Sequence, residues 1–318
     1  MGKKVKEYPE KLVQRVNELY HDLFSERYHF AHPEIFEHDK DKWLNFARRF
    51  IVSDTPLTLV DVGTGTGFVP LTIARFLKEE DLFICSDISG DILEVARGNL
   101  AQERFRCRFD FVKLTGRVPF KLPFEEGVAD VMTLNSVLHH VKDTQVFLGE
   151  LDRVLKADGL VLIGHEPNGY FRTNKLFSGI SYLINPRLAV DALAARFRLV
   201  GRLKNAVRSL LPGSRPDFAH HLGLTDRLNE TLLAEKLIET PLLPEEVKEI
   251  TDIRAREGFK PDRLLPGFDL LSLETCHHLF LPYDPRKNRI LAGCEKFLKR
   301  AFPGSGAFFF AVYRKAKS

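Results

Sequence analysis

Leu57-Thr58-Leu59-Val60-Asp61-Val62-Gly63-Thr64-Gly65-Thr66-Gly67 is the stretch that decides the fold. Its first half is a short, apolar, β-branched run of the kind a buried parallel strand shows. Its second half alternates glycine with threonine, and glycine lets a chain adopt positive φ and a ligand approach the backbone closely. The spacing narrows the ligand. A dinucleotide fingerprint needs glycine or alanine three residues after Gly65, where Phe68 stands, so pyrophosphate cradling fits poorly. No Gly-Lys-Ser/Thr follows either, which excludes a phosphate-binding P-loop.

Outward from this turn the chain alternates. A helical segment runs through Leu71, Ala74 and Leu77, and Leu82-Phe83-Ile84-Cys85-Ser86-Asp87 reads as the next strand. Ile92, Val95, Ala96 and Leu100 follow at helical spacing. Further strands are expected at 128–134, 160–163, 270–279 and 307–313, with helices at 146–155 and 288–301. Strands alternating with helices predict an α/β layer structure with a mostly parallel sheet. Upstream, residues 8–51 are expected to be helical, interrupted around Ala31-His32-Pro33-Glu34 because the residue before proline avoids the α region.

One long segment departs from the alternation. From Asn168 to about Leu243 no strand pattern returns, and Leu193, Phe197, Val200, Leu203, Val207 and Leu210 form a helical stripe. It reads as a helical lid inserted at 168–243, because an apolar stripe needs a neighbour to cover it. The expected organisation is one domain over 1–318, with an N-terminal helical cap at 1–52 and this lid.

Composition sets outer limits. With 318 residues, 44% hydrophobic and 28% charged, the chain can bury a core, so a disordered or collagen-like protein is excluded. No run of about 18 apolar residues predicts a membrane span, and the basic N-terminus lacks an apolar segment behind it, so secretion is not expected. Four scattered cysteines without a CxxC pair suit a cytoplasmic setting. The formal charge of +4 is unevenly spread. Residues 187–215 hold seven basic side chains against Asp191, leaving 40 basic and 42 acidic residues elsewhere. A basic helical stretch beside the acceptor site favours an anionic acceptor or an anionic membrane surface.

At the glycine turn the chain resembles the class I S-adenosylmethionine-dependent methyltransferases, small-molecule branch. Leu59 to Gly67 is similar to their first motif, an acidic strand end followed by GxGxG. Asp130 to Val141, ending in Leu138-His139-His140, looks like their fourth strand and its continuation, and Arg153 to Ile163 is similar to the run into their fifth. The resemblance covers about residues 57–165 and recurs weakly at the last two strands. It implies a Rossmann-like seven-stranded sheet whose last strand is antiparallel. S-adenosyl-L-methionine would be the cofactor, held by Asp61, Gly63, Thr64, Gly65, Gly67, Asp87, Ile88, Thr115 and Asn135. Asp87 would take both ribose hydroxyls, since a carboxylate accepts two hydrogen bonds at once. One departure stands out: Val118 occupies the place of the family's adenine-contacting Asp, ahead of Leu122-Pro123-Phe124, and Thr115 is the expected substitute.

Methyl transfer from a sulfonium needs alignment and exclusion of water, and an alcohol or phenol acceptor also needs a base. The resemblance implies His139 as base, with His140 beside it and Glu166 assisting, and oxygen methylation of a small-molecule acceptor. Tyr20, Tyr28 and His32 lie in the region that often folds over the cofactor in such proteins. No metal is expected from the pairs His139-His140, His220-His221 and His277-His278. Adjacent strand residues face opposite ways, and none of the pairs has HxxxH spacing. No nucleic-acid module is evident, which sets RNA methylation aside, and a lipid-acting or membrane-docking protein is the alternative carried by the basic lid.

Overall fold

Parallel strands buried on both faces are joined by helical crossovers, and the apolar runs of this chain build such a sheet. In the computed structural model, which describes residues 7–25, 39–174, 222–255, 257–278 and 289–317, seven strands form one sheet ordered β3-β2-β1-β4-β5-β7-β6. These are β1 (Thr58–Val62), β2 (Leu82–Asp87), β3 (Arg108–Lys113), β4 (Ala129–Asn135), β5 (Leu155–Pro167), β6 (Phe268–Cys276) and β7 (Phe308–Lys315). The neighbouring pairs among β1 to β5 are parallel, whereas β7 runs antiparallel to both β5 and β6. The expected seven-stranded sheet with its reversed last strand is therefore present.

The helices are α1 (Glu10–Phe24), α2 (Lys40–Phe50), α3 (Phe68–Ile73), α4 (Gly90–Ala101), α5 (Thr144–Val154), α6 (Gly169–Thr173), α7 (Leu222–Ala234), α8 (Pro244–Thr251) and α9 (Arg289–Ala301). Two cores flank the sheet. One joins Leu59, Phe83, Val131 and Leu162 to Trp43, Phe46 and Ile73, and the other joins Val60, Met132, Ile163 and Phe309 to Phe147 and Leu151. Alternate residues of each strand feed opposite faces, as the pleat requires.

A third core lies apart from the sheet. Val13 and Val16 of α1 pack with Leu228 and Leu232 of α7 and Val247 and Ile250 of α8. The N-terminal helix and the two helices between Leu222 and Thr251 thus share one apolar interior. The basic stretch 187–215 and the stripe from Leu193 to Leu210 lie outside the described residues, as do Tyr28, His32, His220 and His221. Among the described residues, no helix is long and apolar enough to cross a membrane.

Two differences from the sequence reading are informative. Strand β3 carries no clear signal, because Arg108-Phe109-Asp110-Phe111-Val112-Lys113 is an edge strand with half-exposed residues rather than a buried apolar run. Strand β5 extends well beyond the predicted 160–163, carrying Gly164, His165 and Glu166 within the sheet.

Candidate active site

The carboxyl ends of β1, β2 and β4 open onto one cleft, the place where open α/β sheets bind ligands. Its walls are Val62, Gly63 and Gly65 after β1, Asp87 and Ile88 after β2, and Asn135, Ser136 and Val137 after β4. Leu114, Phe120 and Phe147 add apolar surface, with the Phe120 and Phe147 rings 5.1 Å apart. Helix α1 closes the cleft with Glu10, Val13, Gln14, Asn17 and His21. The cleft opens to solvent at its mouth, and with that open space included it spans about 840 Å³.

The glycine turn is built as its sequence demands. Gly63, Gly65 and Gly67 have φ of 74°, 55° and 95°, which side-chain-bearing residues adopt only with strain. A Cβ at Gly63 would sit 2.5 Å from Val137, and one at Gly67 would touch Ala96 of α4 at 3.5 Å. At Gly65 it would meet nothing within 4 Å, because that position faces the cleft. Gly63 and Gly67 thus serve packing, and Gly65 leaves room for a ligand.

Asp87 closes β2 on the cleft wall. Its Oδ2 accepts from the Gly65 amide at 2.8 Å and its Oδ1 from the Ser89 amide at 3.0 Å. Each oxygen keeps a lone pair for a ligand hydroxyl. Burial pushes its carboxyl up to about 6, against the restraining pull of those backbone N–H groups. Asp61 is more deeply enclosed. Burial lifts it to about 7, eased by the Thr133 and Thr64 hydroxyls, and Thr133 donates to its Oδ1 at 2.5 Å. Asp61, Thr64 and Gly67 do not line the cleft; they support the turn from beneath, Thr64 by accepting from the Ser86 amide at 3.0 Å. Thr115 is exposed and also outside the cleft lining, to which its neighbour Leu114 and Phe120 contribute instead. Leu122-Pro123-Phe124 is a supported loop: Arg153 donates to the carbonyls of Leu122 and Phe124.

After β4 the chain makes a single 3₁₀ turn over Leu138–His140. Glu166, fully buried, holds that turn: Oε1 accepts from the amides of Val137 and Leu138 at 2.6 and 2.7 Å, and Oε2 lies 3.0 Å from His139 Nδ1. The carboxylate favours the charged imidazolium and outweighs burial, so His139 titrates above its ordinary range. Yet His139 is not on the cleft wall; His140 is. His140 Nδ1 donates to the Thr251 carbonyl at 2.5 Å, which leaves Nε2 as an acceptor. Burial and the neighbouring His139 push His140 down to about 4, so it is neutral at physiological pH.

The sequence reading expected an N-terminal cap but did not single out the residues of α1 that face the cleft. Gln14 and Asn17 donate their amide hydrogens to the Arg117 and Val13 carbonyls. Among the described residues, their buried side-chain oxygens, Gln14 Oε1 and Asn17 Oδ1, have no hydrogen-bond partner. Both residues line the cleft, and two unsatisfied acceptors there ask for donors on a ligand. Tyr20 instead packs against the α1–α7–α8 interior. Asn135 is on the wall as expected, and its Oδ1 accepts from Trp43 Nε1 at 3.0 Å. Gly164 makes that contact possible, since a Cβ there would fall 2.7 Å from the Trp43 ring.

A glycine turn facing open space, an acidic strand end with spare lone pairs and unpaired acceptors opposite suit a cofactor bearing ribose hydroxyls and an ammonium. Residues 60–163 match the profile of a methyltransferase domain. The chain is 29% identical over 152 residues to the ubiquinone/menaquinone biosynthesis C-methyltransferase UbiE of Geotalea uraniireducens, covering 47% of this chain and 62% of that one. It is 28% identical over 149 residues to the demethylmenaquinone methyltransferase of Lactococcus lactis subsp. lactis, covering 47% and 57% respectively. It therefore spans about three fifths of the length of these relatives. Among solved structures, a SAM-dependent methyltransferase from Aquifex aeolicus aligns with a TM-score of 0.40 at 12% identity, over 97% of this chain and 98% of that one. Over residues 60–163 the chain is thus similar to the class I S-adenosylmethionine-dependent methyltransferases. S-adenosylmethionine is the cofactor that this similarity supports.

Proposed function

We propose that the protein transfers the methyl group of S-adenosylmethionine to a small-molecule acceptor that enters beneath α1 and the insertion. The observation that carries this reading is the pairing of Asp87 with the Gly65 amide on the cleft wall. Asp87 would receive the ribose hydroxyls, Gly65 would let the cofactor approach the backbone, and Gln14 and Asn17 would accept from donors on the ligand pair. The cofactor brings its own activation as a sulfonium, so the chain's task is alignment and exclusion of water.

Oxygen methylation driven by His139 has little support. Its ring is bound to Glu166 away from the cleft wall, and His140, which is on the wall, is too weak a base for an alcohol at a value near 4. The relatives named above are a C-methyltransferase of quinone biosynthesis and a demethylmenaquinone methyltransferase. We infer that the acceptor is methylated on carbon, with His140 Nε2 orienting a hydroxyl and Glu166 fixing the turn that carries the histidine. Methyl-tritiated S-adenosylmethionine with reduced demethylquinone, a catechol and a phenol-ether precursor as separate acceptors tests this. Label in a carbon-bound methyl group of the quinol is the expected outcome. Transfer only to oxygen would overturn the carbon assignment, and failure to bind S-adenosylmethionine by calorimetry would overturn the whole reading.

A further inference from the structure

Away from the cleft wall, two segments distant in sequence bring together Asp39, Cys276 and His277, each offering one ligand atom within 4.8 Å of the others. Asp39 is the residue just before α2, where an aspartate ordinarily caps the helix. Here its side chain makes no cap bond. It is wholly buried, with Lys42 Nζ 3.2 Å from Oδ1. His165 Nδ1 lies 2.7 Å from Oδ2, yet neither of those two atoms is aligned for a hydrogen bond. Forgoing the cap and burying a carboxylate beside a thiol and the His165 imidazole is costly, and the Lys42 bond satisfies only Oδ1 of the carboxylate.

The geometry points to a site for a zinc-class divalent transition-metal ion held by Asp39, Cys276 and His277, with His165 as the positioning partner of the Asp39 carboxylate. Thiolate, imidazole and carboxylate are the donor set that zinc takes, and three protein ligands leave a fourth position open. Ligating carboxylates are held by outer partners in such centres, and His165 Nδ1, 2.7 Å from Oδ2, is placed to be one. Cys276 and His277 follow one another, but they lie where β6 has just ended and His277 adopts φ of 57°, so both can reach one point. Lys42 opposes a cation, and Glu274 and Glu295 offset it from nearby. On binding, the Cys276 S–H bond breaks heterolytically. The sulfur keeps the electron pair and donates it to the metal, and the proton leaves to solvent with no change of oxidation state.

The test uses the full chain, stripped with chelator under reducing conditions and titrated with cobalt(II). The expected result is a set of visible d–d bands and a near-ultraviolet thiolate-to-cobalt charge-transfer band, saturating at one equivalent and bleached by zinc. Cys276→Ser should abolish the charge-transfer band, whereas Cys294→Ser, at an exposed cysteine, should leave it intact. His165→Gln should keep the band but weaken affinity about 10-fold to 100-fold. Absence of bands in the wild-type chain overturns the proposal without any variant. Bands without thiolate charge transfer would place the ion at the other grouping, His139, His140 and Asp252, and overturn it equally.

Discussion

Asp87 is a carboxylate whose two oxygens are each half satisfied by backbone amides, so its charge is affordable but not comfortable. A group raised to about 6 must lose its proton before it can accept two ribose hydroxyls, so affinity for S-adenosylmethionine should rise as pH passes upward through 6. Titration calorimetry between pH 5 and 8 measures this, and Asp87→Asn should flatten the profile. At pH 7.5 that substitution should weaken binding about 10-fold to 100-fold, the worth of a charge-assisted hydrogen bond of ~1.5–3 kcal/mol. Asp61 and Asp87 together predict the opposite slope for stability. Both are raised in the folded chain, to about 7 and about 6. Folded molecules therefore retain protons that unfolded ones lose above pH ~4, and folding stability should fall as pH climbs from about 4 to 7. Asp61→Asn should reduce that fall, measured by denaturant unfolding across the range. The glycines separate by the same reasoning. Gly63→Ala combines left-handed strain with a clash on Val137 and should lower the melting temperature more than Gly65→Ala, whose main effect should be on cofactor affinity.

At the scale of elements, α1 was expected as part of a cap, but its partners were not legible. Its spacing of Leu12, Val16 and Leu19 announces a helix with one apolar face, but periodicity cannot say that the face meets helices more than 200 residues later. Leu232 of α7 is fully buried in that interior. Leu232→Ala should cost about 2–5 kcal/mol if the cover unfolds together with the sheet. A separate early transition in calorimetry would show instead that the cover melts as its own unit. The Arg15–Glu235 ion pair joining α1 to α7 is partly exposed, so its removal should change stability by no more than about 1 kcal/mol.

For the molecule as a whole, legibility followed burial. The strands β1, β2 and β4 were readable because both of their faces are covered, which forces continuous apolar composition. β3, at the sheet edge with one alternating face, was not. The glycine turn and Asp87 were legible because backbone geometry and lone-pair count limit which residues serve. Gln14, Asn17, Asp39 and Cys276 were not, since they acquire meaning only from what lies across from them in space.

The chain has one tryptophan, Trp43. Its indole is fully buried and donates to Asn135 on the cleft wall, and Asp39 lies one helical turn away at the start of the same helix. Its emission is thus a built-in gauge free of background from any second indole. A ligand that draws on Asn135 would alter the hydrogen bond to Nε1 and with it the fluorescence, so cofactor binding should be readable in the unlabelled protein.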